Sequence, residues 1–126
     1  MRHLCCVLLI MITLAGCDRG PTYVPVTGTV KYSDGTVPTG DIASITFQPA
    51  SAAPDTKGAS GTIQPDGTFS LTTINPGDGA RPGDYVVKVN VMKGYPGGTS
   101  LVADTPLKAT VTEDGENHFD FVVERP

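Results

Sequence analysis

The chain has 126 residues, with nine Lys and Arg against 13 Asp and Glu and a formal net charge of −4. This length suffices for one domain with its own hydrophobic core. The acidic balance, with lysines scattered along the chain, argues against a nucleic-acid partner and against an electrostatic grip on anionic lipid.

The chain begins with a segment that has the layout of a secretory signal. Met1, Arg2 and His3 precede the apolar run LCCVLLIMITL, which as a helix of about 16 Å is too short to be a good membrane span. The last leucine of this run opens LAGC, residues 14–17, which resembles the lipobox of bacterial lipoproteins. The resemblance implies cleavage before Cys17 and attachment of lipid to its thiol. An ordinary signal with a chance cysteine is the alternative.

Lipidation would define the mature chain and its compartment. Cys5 and Cys6 leave with the signal peptide, residues 1–16, so that no thiol remains for a disulfide or a metal site once Cys17 is acylated. A diacylglycerol on Cys17, with an acyl group on its amine, anchors a protein to a membrane without spanning it. Asp18 resembles the inner-membrane retention signal of enteric lipoproteins, and the choice between inner and outer membrane stays open.

The 110 residues after the signal predict a short linker, residues 17–22, and one all-β domain, residues 23–126. Apolar residues recur at every second position, and Gly or Pro interrupts the chain about every ten residues, which is typical of short strands. In the strongest strand, Tyr85, Val87, Val89 and Val91 share the inward face. The seven predicted strands are YVPVTGTVKY, DIASITFQP, ASGTIQ, TFSLTT, DYVVKVNVM, LKATVT and NHFDFVVE.

Seven strands with one apolar face each are best buried as two packed sheets, so the expected fold is a seven-stranded antiparallel β-sandwich. Its predicted turns share an Asp-Gly pair, in which Asp caps the turn and Gly adopts the positive φ. These pairs lie at residues 34–35, 66–67, 78–79 and 114–115.

Alternating strand directions would gather the connections at two ends of the domain. We call the end where the first strand begins proximal and the opposite end distal. The proximal end is expected to carry residues 50–58, 74–82 and 113–116, and the distal end residues 33–40, 65–67 and 94–106. Because the five residues after Cys17 span at most roughly 18 Å, the proximal end should lie close to the bilayer.

Three stretches, in order along the chain, carry a family resemblance: VTGTVKYSDGTVPTGDIASITFQP, GTIQPDGTFSLTT and RPGDYVVKVNV. Together they resemble the carboxypeptidase regulatory-like domain, a transthyretin-like or prealbumin-like sandwich found in small bacterial lipoproteins. The ending TPLKATVTEDGENHFDFVV is also similar to that group, so the resemblance covers about residues 22–124. It implies a structural or protein-interaction module of the cell envelope, and it implies neither a ligand nor a cofactor.

The residues predict no enzyme. After the signal the chain has no thiol other than Cys17 and a single histidine, His118, and no nucleophile motif such as Gly-x-Ser-x-Gly occurs. Alternation places His118 on the face opposite Phe119 and Phe121, where a solvated histidine is expected. A transthyretin-like hydrolase needs several histidines, which this chain lacks.

The alternative is a small-ligand module that binds glycan or calcium through its loops. Acidic loops can supply calcium ligands, but turn formation already explains most of these acids and no Asp-x-Asp-x-Asp-Gly spacing occurs. A sugar platform needs exposed aromatic side chains, and Tyr95 in the long connection is the best placed. We therefore expect any recognition to use residues 94–106, with Tyr95 as the anchor and with help from Tyr32 and Asp34. A packed crossover without a contact role is the rival interpretation of this loop.

Overall fold

All regular secondary structure in the computed structural model is β-strand, within the residues that it describes, which are 22–51, 57–94 and 97–126. The strands in chain order are β1 (Thr27–Tyr32), β2 (Ile42–Pro49), β3 (Ala59–Thr62), β4 (Thr68–Ser70), β5 (Gly83–Lys93), β6 (Thr99–Ser100), β7 (Leu107–Val111) and β8 (His118–Val123). Within those ranges, no helix is long and apolar enough to cross a membrane.

The strands form two sheets, as expected for an all-β sandwich. One sheet has the order β4-β1-β8, and the other has the order β3-β2-β5 with β6 and β7 both paired to the remaining edge of β5. The two sheets approach each other at β3 and β4, where Ser60 and Thr72 form an isolated antiparallel bridge. The all-β class and the two-sheet arrangement of the prediction are therefore confirmed.

Two details of the predicted sheet are wrong. The described residues contain eight strands rather than seven, because Thr99 and Ser100 pair with the end of β5. The pairing of β1 with β8 is parallel, with Thr27 opposite His118, so the smaller sheet is mixed rather than antiparallel. The chain crosses from β7 in one sheet to β8 in the other, and this crossing brings β8 in at the end where β1 begins.

The core lies between the sheets and follows the predicted alternation. Phe47 of β2 is fully buried, and its ring contacts Phe69, Phe119 and Phe121 of the smaller sheet at centroid distances of 6.4, 5.9 and 6.0 Å. Aromatic pairs of this kind contribute about 0.5–1.5 kcal/mol beyond the burial of their area. The other core residues with no exposed surface are Val30, Ile45, Leu71, Ala80, Val87 and Val91.

The predicted Asp-Gly turns are confirmed at three of the four sites. Gly35, Gly67 and Gly79 have φ of 89°, 88° and 90°. The fourth turn is wrong in its detail, because Gly115 does not have a positive φ. The buried Asn117 holds that turn instead: its amide accepts from the Thr112 N–H at 2.9 Å and donates to the Thr112 carbonyl at 2.8 Å.

The connections gather at two ends, as the alternation of strands predicts. At the proximal end, Val24 forms a bridge with Ala80, and the Thr27 N–H donates to the Asn117 carbonyl at 3.0 Å. At the distal end, the Gly94 N–H donates to the Asp41 carboxylate at 2.6 Å. The residues that follow β8 also lie at the distal end.

Candidate functional site

The sequence singled out four residues, of which the structure describes two. Cys17 and Tyr95 lie outside the described residues, so lipidation and the aromatic anchor stay predictions. Tyr32 and Asp34 both lie at the distal end, on the last residue of β1 and in the turn that follows it.

Tyr32 is buried, with 8% of its surface exposed. The residue continues the inward face of β1, and its hydroxyl donates to the Leu101 carbonyl at 2.6 Å. The ring is covered by Arg125, whose guanidinium carbon lies 4.0 Å from the ring centroid. Tyr32 therefore connects β1 to the 94–106 connection, as the prediction groups them, but its ring is not a free aromatic surface.

Asp34 is held in a fixed position by the turn that it caps. Its Oδ1 accepts from the N–H and the hydroxyl of Thr36 at 2.9 and 2.5 Å, and its Oδ2 accepts from Nη1 of Arg125 at 2.9 Å. These bonds favour the ionised carboxylate and lower the pKa of Asp34 to about 2; the Thr36 hydroxyl has the largest effect, followed by the Thr36 amide and Arg125. Asp34 is thus an anion over the whole neutral range.

Sequence reasoning missed Arg125, which joins these two residues. Its guanidinium stacks on Tyr32, pairs with Asp34 and donates from Nη2 to the Thr36 hydroxyl at 3.3 Å. We call Tyr32, Asp34 and Thr36 the distal clamp. The Arg125 side chain is 57% exposed and that of Asp34 49%, so solvent screens the ion pair.

The described part of the long connection packs against the sandwich near this clamp. The Leu101 N–H donates to the Val91 carbonyl at 2.8 Å, and Val102 is buried. The Ala103 N–H donates to the Glu124 carbonyl at 2.7 Å, which ties the connection to the end of β8. These contacts fix the described part of the connection against the sandwich.

His118 lies on the outer face of β8, as predicted from alternation. Its Nδ1 is 3.2 Å from the Thr27 hydroxyl and its Nε2 is 3.1 Å from the Asp120 carboxylate. The Thr29 hydroxyl donates to the same carboxylate at 2.7 Å and lowers the pKa of Asp120. The side chains of His118 and Asp120 are 51% and 70% exposed. Cross-strand pairing between β1 and β8 explains why the side chains of Thr27, Thr29, His118 and Asp120 lie next to one another.

The acidic turns do not converge on a metal site in the part of the chain that the structure describes. No group of three or more His, Cys, Asp or Glu side chains there is placed to share an ion. Asp66 accepts from the N–H and hydroxyl of Thr68, and Asp78 accepts from the backbone N–H of Thr73 and Asn75. Turn capping thus engages these carboxylates.

A second surface feature is a hydroxyl-lined groove where β2, β3 and β4 meet. The register places Ser44 opposite Thr62 and Thr46 opposite Ser60 on the outer face, and the bridge to Thr72 continues the row onto the smaller sheet. The groove encloses about 620 Å³, and none of the described residues that line it is charged. The alternation of apolar and polar residues along each strand predicts that these hydroxyls lie on the outer face. Their alignment in one groove depends on which strands are neighbours.

Comparison of the chain with protein-family models, with curated proteins and with solved structures finds no match in any of the three. Function must therefore be inferred from the residues and from the two sites described above.

Proposed function

We propose that the chain is a lipid-anchored, non-enzymatic protein of the bacterial cell envelope. Its β-sandwich, of the carboxypeptidase regulatory-like or transthyretin-like type, serves as a structural or protein-interaction module. The observation that carries the proposal is LAGC at residues 14–17 directly after a short apolar run.

The anchor gives the domain an orientation. A thioether-linked diacylglycerol buries many methylenes at about 0.8 kcal/mol each, which is enough to retain the protein on a membrane without a spanning helix. Near the start of the described residues, Val24 pairs with Ala80 at the proximal end. Val24 is seven positions after Cys17. A tether this short holds the proximal end at the membrane.

The distal end then faces away from the membrane and meets a partner first. Residues 94–106, with Tyr95 as an aromatic anchor, form the proposed contact loop. Support comes from the base of the loop, which is fixed by the bond between Asp41 and Gly94 and by the bond between Tyr32 and Leu101. A loop on a rigid base loses less conformational entropy on binding than a free loop does.

The non-enzymatic assignment rests on the chemistry of the polar side chains. His118 is the one histidine after the signal, and it lies on an exposed strand face beside a carboxylate that is also exposed. General acid–base groups are usually tuned by burial and by enclosed charges. The surroundings of His118 supply neither.

Membrane attachment is tested by replacing Cys17 with Ser. The variant should appear in the soluble fraction or retain its uncut signal, whereas Cys5→Ser, a matched change within the signal, should remain processed and membrane-bound. A Cys17→Ser protein that is both fully processed and membrane-bound would end the proposal.

The contact loop is tested by Tyr95→Ala, with partner capture from solubilised envelope and thermal stability measured on the same variant. The proposal predicts lost capture with an unchanged melting temperature. If the melting temperature falls and the folded molecules capture partner as before, the loop is a packed crossover.

A glycan-binding role is a second candidate, and the hydroxyl groove is the observation that favours it. Its neutral hydroxyls, such as Ser44, Thr62 and Thr72, can donate to and accept from sugar hydroxyls. Calorimetric titration with envelope glycans tests this role, with calcium as a separate titrant. Loss of glycan binding in Thr62→Val, but not in Thr110→Val on β7, would locate it in the groove.

A further inference from the structure

We propose that the distal clamp is a guanidinium-binding site, which Arg125 of the chain occupies in the structure and which an arginine side chain of a partner occupies in a complex. This inference rests on the proposed function as an interaction module and names the chemistry that the partner presents.

The clamp recognises a guanidinium by its flat face and its two terminal nitrogens. The Tyr32 ring lies under the group at 4.0 Å, the Asp34 carboxylate accepts from one nitrogen at 2.9 Å and the Thr36 hydroxyl accepts from the other at 3.3 Å. A lysine ammonium has one nitrogen and no flat face, so it cannot stack on the ring while pairing with Asp34 and Thr36 through two separate nitrogens.

The acceptor and the ring keep their positions without Arg125. The two bonds from Thr36 orient Asp34 by themselves, and the bond from the Tyr32 hydroxyl to Leu101 fixes the ring. A site whose groups are held by the fold needs no reordering when its ligand changes, and this favours exchange.

Arg125 is suited to leave the clamp. It lies two positions beyond Val123, the last residue of β8, and its side chain is more than half exposed. Exposed ion pairs of this type contribute little to folding, so releasing Arg125 leaves the sandwich intact. The net charge of −4 attracts cationic partners over distance and repels acidic ones.

The competing explanation is an intramolecular latch, in which Arg125 only ties the segment after β8 to the turn at Asp34. The two explanations differ in what the clamp does when Arg125 is removed. A latch leaves an exposed ring with no particular affinity, whereas a guanidinium site becomes free to bind an added arginine side chain.

The test uses the full chain in detergent, labelled with fluorotyrosine and observed by 19F NMR, with the Tyr32 resonance assigned from Tyr32→Phe. The probe is Nα-acetyl-arginine methylamide, and the citrulline analogue, which has the same shape and no charge, is the control ligand. The variants are Arg125→Ala and Arg125→Gln, with Lys108→Ala as a matched loss of one exposed positive charge.

The proposal predicts that Arg125→Ala binds the arginine probe saturably and about tenfold more tightly than the unchanged chain, in which Arg125 competes. Lys108→Ala should behave like the unchanged chain, and adding Asp34→Asn to Arg125→Ala should weaken binding by about tenfold. No saturable shift in either Arg125 variant, equal binding of the citrulline analogue, or indifference to Asp34→Asn would overturn the proposal in favour of the latch.

These outcomes are separable from those of the proposed function. If the probe fails to bind while Cys17 is lipidated and Tyr95→Ala loses partner capture, only the guanidinium site is refuted. If the probe binds and Cys17→Ser stays processed on the membrane, the anchored module is refuted and the guanidinium site stands.

Discussion

Replacing Phe47 with Ala would remove the side chain that joins the two sheets. Phe47 has no exposed surface, and its ring lies within 6.4 Å, between centroids, of Phe69, Tyr85, Phe119 and Phe121. Buried Phe-to-Ala changes cost about 3–5 kcal/mol. Four ring contacts place this change near the middle of that range, at about 4 kcal/mol, since the losses overlap and do not add.

A loss of this size is a large part of the stability of such a domain, which is about 5–15 kcal/mol. At about 4 °C per kcal/mol for a domain of this length, the melting temperature should fall by roughly 16 °C. Phe47→Leu keeps most of the volume and should cost about 1.5 kcal/mol. Val122→Ala, on a β8 side chain that is 57% exposed, should cost less than about 0.5 kcal/mol.

The assay is urea unfolding followed by far-UV circular dichroism on the four proteins, with the midpoint and the slope fitted separately. The unfolding midpoint should fall in the order Val122→Ala, Phe47→Leu, Phe47→Ala, with a slope that does not change. If Phe47→Ala lies within about 1 kcal/mol of Val122→Ala, the side chain does not bridge two packed sheets and the description of the core is wrong.

Three further predictions concern single contacts. Gly28→Ala places a Cβ against the Phe119 carbonyl oxygen, so β1 and β8 must separate, and urea unfolding should report a loss of about 1–3 kcal/mol. Asn117→Ala removes the buried side-chain amide that pairs with the N–H and the carbonyl of Thr112, and it should cost about 2 kcal/mol in the same assay. The pKa of Asp34 is about 2 in the fold, below its ordinary value of 3.8, so its contribution to stability is present above pH 4 and is lost as the pH falls toward 2. The difference in melting temperature between the unchanged chain and Asp34→Asn should therefore shrink over that pH window, and a constant difference would contradict the assignment.

The alternation of apolar residues predicted the faces and the ends of the sandwich. Side chains at every second position of a strand must share a face, so the inward positions of β5 followed directly from the sequence. The same phase that turns Val30 inward also turns Tyr32 inward, so the burial of Tyr32 could be predicted from the sequence.

Features that depend on which strands are neighbours could not be predicted in this way. A period of two is common to parallel and antiparallel pairs, so it does not reveal the parallel pairing of β1 with β8. Strand β6 has two residues, both exposed, which is too short for a periodic signal. Arg125 follows the last strand, and its stacking on Tyr32, 93 positions earlier, has no local sign in the sequence.

The mass of the first peptide of the membrane-extracted protein tests the lipid anchor most directly. A lipid anchor predicts a peptide that begins at Cys17 and carries a diacylglycerol on the thiol, together with an acyl group on the amine. A peptide that begins at any other residue, or an unmodified Cys17 in protein recovered from the membrane, would contradict the lipid anchor and the orientation that follows from it.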